Sequence, residues 1–271
     1  VRLVRRDPQA PDEVQWSPTG GRIDSAGLEG AEAVFHLAGA GIGERRWTEP
    51  VKQEILDSRV LGTRLLASSL AGFDRKPTVM VSASAIGWYG DRGDGMLDES
   101  APQGNGFLAD VVAAWEAAAQ PAVDAGIRVV HPRTGIVLSR NSLVIGRLLL
   151  PFKLGAGGRM GPGDQWWSWI ALDDVVRALS HLSFVSALTG PVNLTAPNPV
   201  TNQEFVDTFG SVLRRPTVLP TPSLAIKSIL GSELAEALVF QSQRVVPARL
   251  LEDGFGFDYP NLREALESAI A

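Results

Sequence analysis

The sequence contains no cysteine. That excludes disulfides, thiolate metal sites and a cysteine nucleophile. It leaves the compartment open, because secreted proteins can lack cysteine too. Histidine is scarce: His36, His131 and His181 lie far apart, without the spacing of a metal site, and no metal is expected. Only two tyrosines occur, Tyr89 and Tyr259, so phenolic acids are few. No uninterrupted apolar run reaches the roughly 18 residues of a membrane span. The longest candidate, 143–154, is broken by Arg147 and Lys153. There is no basic excess either, with 25 Lys+Arg against 30 Asp+Glu. Neither nucleic acid nor an anionic membrane is therefore an expected partner.

What remains is the composition of a folded globular protein, 45% hydrophobic and 20% charged over 271 residues. One or two domains are expected at that length. Residue 1 is Val, and Val-Arg-Leu-Val-Arg-Arg reads as a strand entered part-way. The expectation is that residues upstream of it are missing. No charged start followed by an apolar stretch is present, and a cytoplasmic protein is expected.

Apolar strand patterns recur with helical segments between them. Strands are predicted at 1–5, 33–37, 78–82 and 127–130, with 135–138 extending or following the last. Helices are predicted at 49–70 and 107–125. In the second of these Phe107, Val111, Trp115 and Ala118 form one stripe. This alternation predicts an α/β fold with a parallel sheet and helices on both faces. Residues 1–140 are read as the main domain. Residues 141–271, richer in Gly and Pro, are read as mainly a smaller irregular α+β lobe, with some return to the main domain near 165–195.

In open α/β sheets ligands sit beyond the C-terminal strand ends. Those ends carry Arg5-Arg6, Ala38-Gly39-Ala40-Gly41, the stretch from Ser82 to Gly90, and Pro132-Arg133-Thr134-Gly135. Small residues at three of the four let a flat ligand approach the backbone. Ordinary turn chemistry explains any one of them alone.

His36-Leu37-Ala38-Gly39, Asp57-Ser58-Arg59-Val60-Leu61-Gly62-Thr63 and Ser82-Ala83-Ser84-Ala85-Ile86-Gly87-Trp88-Tyr89-Gly90 resemble the extended short-chain dehydrogenase/reductase superfamily. Asp98-Glu99, Trp115-Glu116 and Arg133-Thr134-Gly135-Ile136-Val137-Leu138 fit the same pattern. Within it the chain is most similar to the "epimerase family" group related to nucleotide-sugar epimerases. That group also has a C-terminal DUF1731-type segment, matched by Ser242-Gln243-Arg244-Val245-Val246-Pro247 and Gly254-Phe255-Gly256-Phe257.

The resemblance implies a Rossmann domain that binds NAD(P), and an oxidoreductase or isomerase acting on an unknown small substrate, such as a nucleotide sugar. The family's Gly-rich phosphate loop would precede Val1, in a βα unit on the order of 30 residues. Arg5 and Arg6 stand where an acidic residue selects NAD and an arginine accepts the 2′-phosphate of NADP, so NADP is preferred over NAD. Leu37, Ala38 and Gly39 would pass beside the adenosine. Glu54 and Arg59 would face the cofactor from the 49–70 helix, or be solvated surface charges. Ser82, Arg133 and Val137 complete the cofactor set.

The superfamily pairs a Ser with a Tyr-x-x-x-Lys, acid–base work worth about 10² to 10⁴ in rate. Ser84, or Ser82, fits the Ser position. Phe107 and Val111 stand at the Tyr and Lys positions, so the usual relay is missing. Tyr89 is the remaining nearby phenol, either a replacement acid or an aromatic loop anchor. Asp98 and Glu99 are a further proton-transfer candidate, with helix capping preferred. On the substrate side, Trp167 with Trp166 and Trp169 offers stacking area or inter-lobe core. Arg159, within the flexible lid-like stretch 155–163, and Gln165 are substrate candidates. Gln241, Gln243 and Arg244 are candidates for the cleft border. Two functions follow: an NADP-dependent oxidoreductase or epimerase, or an NADP-binding regulatory protein that has lost the chemistry. A monomer and a homodimer both fit.

Overall fold

The computed structural model describes residues 1–270. Its first strands, β1 (Arg2–Val4), β2 (Glu13–Ser17) and β3 (Arg22–Ile23), form a small sheet in which β1 and β2 run parallel. Then come β4 (Ala33–His36) and the long helix α1 (Glu49–Ala71). Pro50 suits the first turn of α1, where its missing N–H has no partner to lose. Next are β5 (Val79–Ser82), β6 (Ser84–Ala85) and β7 (Met96–Leu97).

The expected helix over 107–125 is two helices, α2 (Phe107–Ala117) and α3 (Gln120–Asp124). Pro121 causes the break, because it has no N–H to continue the ladder and disfavours a helical Gln120. The next strand, β8, runs further than expected (Arg128–Thr134), and β9 (Ile136–Leu138) follows a one-residue interruption at Gly135.

The second half is more regular than its Gly and Pro content suggests. It contains α4 (Leu143–Lys153), β10 (Trp166–Trp167), β11 (Trp169–Ala171), α5 (Leu172–Phe184), β12 (Gly190–Leu194), β13 (Val200–Thr201) and α6 (Asn202–Leu213). A capping box between Thr201 and Glu204 starts α6. The chain ends with α7 (Ser223–Leu230), α8 (Ser232–Ala235), a π-helical turn (Glu236–Phe240), β14 (Arg244–Val245), α9 (Ala248–Glu252) and α10 (Leu262–Ile270).

The central sheet has the order β12-β8-β5-β4 with every pair parallel, and β6 pairs with β8. Strand β12 is not among the predicted strands, and it lies within the 165–195 stretch expected to return to the main domain. Parallel strands need cover on both faces. On one face Met80 and Val129 pack with Leu66 and Leu70 of α1. On the other, Val79, Val81 and Val130 pack with Ala178 and Leu182 of α5. A third core, around Ile145, Trp169, Phe205, Phe209 and Leu266, ties α4, α6 and α10 together. Among the described residues no helix is long and apolar enough to cross a membrane.

Candidate active-site cleft

The sheet positions the cleft. The chain leaves β6 into the 3-10 turn Ile86–Tyr89, and leaves β8 through Gly135 into β9. At Gly135 the strand changes partners: β8 pairs with β12 and β5, whereas β9 pairs with β11. A Cβ on Gly135 would lie 2.6 Å from the carbonyl oxygen of Ser168, so this crossing requires glycine. Between the two exits, α2 and the segment 237–243 lies a cavity of about 320 Å³.

The α2 wall is set by helical spacing. Leu108, Val111, Val112 and Trp115 line the cavity, the i, i+3, i+4, i+7 face of a helix. Phe107 turns away and meets the Trp47 ring edge-on, with centroids 5.0 Å apart. Of the Phe107 and Val111 pair expected from sequence, Val111 faces the cleft and Phe107 does not; the pairs four residues apart that both line it are Leu108 with Val112 and Val111 with Trp115. None of these is a tyrosine or a lysine, so no phenol and no ammonium group faces the cleft from α2.

Arg59 is the single ionisable side chain on the cavity wall among the described residues. Its guanidinium donates to the carbonyls of Ala40 (3.0 Å) and Ile55 (3.1 Å) and lies 5.0 Å from the Trp115 ring. Burial pushes its pKa below the usual arginine value. No carboxylate pairs with it among the described residues, so it keeps a net charge for an anion. A Cβ on Gly39 would come within 3.2 Å of that guanidinium, which is why the loop after β4 approaches it so closely. Leu37, Ala38 and Gly39 are themselves exposed.

Of the other expected residues, Val137 and Trp167 line the cavity, and so do Trp166, Gln241 and Gln243. The buried amide oxygen of Gln241 has no protein partner. Trp167 is buried, with its indole N–H donating to the carbonyl of Val239 at 3.2 Å.

The remaining candidates lie elsewhere. Ser84 is buried and donates to Glu116 at 2.6 Å. Ser82 is buried with no partner for its hydroxyl. Arg133 is also buried, in a bidentate ion pair with Glu116 (2.9 Å on each arm), and stacks 4.0 Å from Trp88. Its charge is spent inside the protein. Tyr89, expected on the substrate-side loop, is fully buried. Its hydroxyl donates to Asn193 Oδ1 at 2.6 Å, and burial raises its pKa. It is the anchor of the loop, because its ring packs with Leu97 and Val245.

Arg6 forms a bidentate pair with Glu13 (2.7 and 2.8 Å), and that pair holds the Glu13 carboxyl down at about 2. Arg5 is exposed beyond β1. Glu54 is exposed and pairs with Arg45 at 2.6 Å. Gln165 is buried and braces its own loop, donating to Met160 (2.9 Å) and Val239 (3.1 Å). Arg159 is exposed and donates to the carbonyl of Pro162. The stretch 155–163 is strapped down rather than free: Gly158 and Met160 bridge to Val218 and Thr221, and Met160 N–H donates to Asn202. Asp98 accepts from Ser100, and Glu99 accepts the Asn193 N–H at 2.9 Å, so both brace turns.

A parallel α/β sheet with an apolar cleft at its C-terminal strand ends, and one uncompensated arginine facing in, defines a protein of the dinucleotide-fold class. Comparison with known proteins narrows this. The NAD dependent epimerase/dehydratase family model matches residues 21–185, and a domain of unknown function (DUF1731) matches residues 221–269. The chain belongs to the NAD dependent epimerase/dehydratase family. It is 41% identical to the epimerase family protein Mb2239 of Mycobacterium bovis, over 98% of this chain and 87% of that one. It superposes with a TM-score of 0.89 on the crystal structure of human epimerase family protein SDR39U1 (isoform 2) with NADPH, at 34% identity, covering 98% of this chain and 89% of that one. A nucleoside-diphosphate sugar epimerase from Corynebacterium glutamicum gives a TM-score of 0.79 at 35% identity, covering 99% of this chain and 52% of that one.

Proposed function

We propose that the protein is an NADP(H)-dependent oxidoreductase that reduces a small carbonyl substrate in this cleft without a tyrosine–lysine relay. The observation that carries this reading is the cleft itself, apolar along α2 and β9 with Arg59 as its one uncompensated charge. The similar human protein bound to NADPH supports the choice of NADP over NAD. Arg59 would hold phosphate oxygens, and the exposed Leu37, Ala38 and Gly39 would border the adenosine. Val111, Val112 and Val137 would exclude water from one face of the nicotinamide ring. When bound, the dinucleotide would supply a hydride, and with no acidic side chain on the cleft wall among the described residues the accompanying proton would come from water. An epimerisation that passes through a ketone also needs a base for the substrate hydroxyl. Among the described residues the cleft wall holds no carboxylate, histidine or phenol for that step, which alcohol oxidation needs too, so carbonyl reduction fits better than oxidation or epimerisation.

A second reading, an NADP-binding regulatory protein without turnover, is favoured by Leu108, Val112 and the sequestered Tyr89. One experiment separates the two: titrate the protein with NADPH and NADH, then assay NADPH oxidation over a panel of carbonyl compounds and nucleotide sugars. Turnover, with Arg59→Ala weakening NADPH binding at least tenfold, supports the first reading. Tight binding with no turnover supports the second, and no binding of either coenzyme overturns both.

A further inference from the structure

The loop after β4 and the helix α4 carry arginines that the cleft does not use. Arg45, Arg46 and Arg147 line a second cavity of about 250 Å³, with Gly43, Leu230 and Leu234 among its other walls. Arg45 is paired with Glu54. Arg46 and Arg147 have no carboxylate within ion-pair distance among the described residues. Carbonyl oxygens hold them instead: Arg46 donates to Ser228 and Ile229, and Arg147 donates to Gly43. A carbonyl orients a guanidinium without cancelling its charge. Glu44 is the one carboxylate on the cavity wall, and it folds back against Gly41. Two oriented guanidiniums that lack a counter-ion beside a concave space make a bidentate receptor for an oxyanion.

The second cavity adjoins the cleft along three elements. Ile42 lines the cleft and Gly43 the cavity. On α4, Leu143 lines the cleft and Arg147, one turn later, the cavity. Likewise Leu238 lines the cleft and Leu234 the cavity. The two spaces meet where Leu143 packs against the backbone of Gly43.

We propose that this cavity is an oxyanion subsite for the small substrate. The substrate is then an organic anion, its apolar body in the cleft and a phosphate or carboxylate group on Arg46 and Arg147. This rests on reading the cleft as a site shared by a dinucleotide and a second ligand. It separates the substrate's anion from the dinucleotide phosphates, which fall to Arg59.

Phenyl phosphate, with phenol as its uncharged control, tests this on the full chain by calorimetry and tryptophan fluorescence. Phenyl phosphate should bind at least tenfold more tightly than phenol and weaken as salt rises from 0.05 to 0.5 M, a range of roughly threefold in screening length. Arg46→Ala with Arg147→Ala should weaken phenyl phosphate at least tenfold and change NADPH affinity by less than about twofold. Arg46→Lys with Arg147→Lys should restore most of the affinity for phenyl phosphate. Equal binding of phenol and phenyl phosphate, or no loss in the alanine variant, overturns the proposal. Parallel loss of NADPH affinity also overturns it, by assigning these arginines to the dinucleotide. A wild-type protein that binds phenyl phosphate through them but no coenzyme refutes the cofactor reading while the anion subsite stands. If the variants do not fold, phenylglyoxal modification of the wild type decides. Phenyl phosphate should shield Arg46 and Arg147 but not the exposed Arg5, and absence of shielding overturns the subsite.

Discussion

Two residues show what burial does to charge in this protein. Arg133 is 2% exposed and spends both arms of its guanidinium on Glu116, which also accepts from Ser84. Removing one partner of a buried ion pair leaves the other uncompensated and costs about 3–5 kcal/mol. Glu116→Gln should therefore lower unfolding stability by that order in urea. A loss under about 1 kcal/mol would mean that water reaches Arg133. His36 is the second case. It is 3% exposed, its Nε2 has no partner, and burial lowers its pKa from 6.5 to about 4. The unfolded chain then binds the proton first as pH falls, so stability is complete above about 6.5 and is lost on descending toward 4. Between pH 7 and pH 5 the loss from this residue is about 2 kcal/mol. His131, lowered by burial as well, adds a loss of the same sign. Denaturant melts at both pH values should show the decline, and His36→Asn should make it shallower. An unchanged slope in that variant would assign the pH dependence to other groups. Neither environment was legible in the sequence. Arg133 reads as a cofactor contact because it follows a strand, and Tyr89 reads either as a replacement acid or as an aromatic loop anchor. What decided both was a partner far along the chain: Glu116 for the arginine, Asn193 for the tyrosine.

At the level of elements, strong apolar patterning in the sequence specifies the structure. Strands β1, β4 and β5 and helix α1 lie where apolar alternation placed them, because their cores are built from runs such as Val79-Met80-Val81. Two signals failed. Pro121 marked a break inside the expected 107–125 helix and was outweighed by the apolar stripe on either side of it. Of the stripe Phe107, Val111, Trp115 and Ala118, Val111 and Trp115 line the cleft, whereas Phe107 packs on Trp47, a partner sixty residues earlier that helical spacing does not reveal. Gly135 illustrates the opposite case, a position whose identity is fixed by an element crossing. Its absent Cβ would meet Ser168 O at 2.6 Å and Thr195 Cγ2 at 2.9 Å, where β8 hands over to β9. Gly135→Val should cost about 1–3 kcal/mol through overpacking, a fall of several degrees in melting temperature. It should also reduce NADPH affinity, because residue 135 forms part of the cleft wall. Full stability together with full affinity would show that β9 and β11 separate freely.

Over the whole molecule the two halves are locked together by polar groups that sequence patterns do not reveal. Strand β12, from beyond residue 185, completes the central sheet, and the segment 242–259 is fastened across it. Asn193 is buried in β12 and donates to the carbonyl of Val246 at 2.9 Å. Asp174, fully buried in the first turn of α5, accepts the N–H groups of Asp258 (2.9 Å) and Tyr259 (3.0 Å) and pairs with Arg177 at 2.9 Å. In the sequence, Asp173-Asp174 looks like an ordinary acidic helix start. The structure makes Asp174 a clamp on the approach to α10, whose Leu262 and Leu266 pack in the same core as Trp167 of the cleft wall. Asp174→Ala should therefore leave the N–H groups of Asp258 and Tyr259 without their acceptor, at about 3 kcal/mol, while Arg177 keeps its second partner, Asp258, at 3.0 Å. The loss should be local before it is global. Hydrogen exchange should accelerate first across 256–270 while β5 and β8 stay protected, and limited proteolysis should cut ahead of α10. Because that core also supports Trp167, ligand affinity in the cleft should fall even where the central sheet remains intact. Uniform acceleration across β5, β8 and α10 alike would show instead that the clamp and the sheet unfold as one cooperative unit.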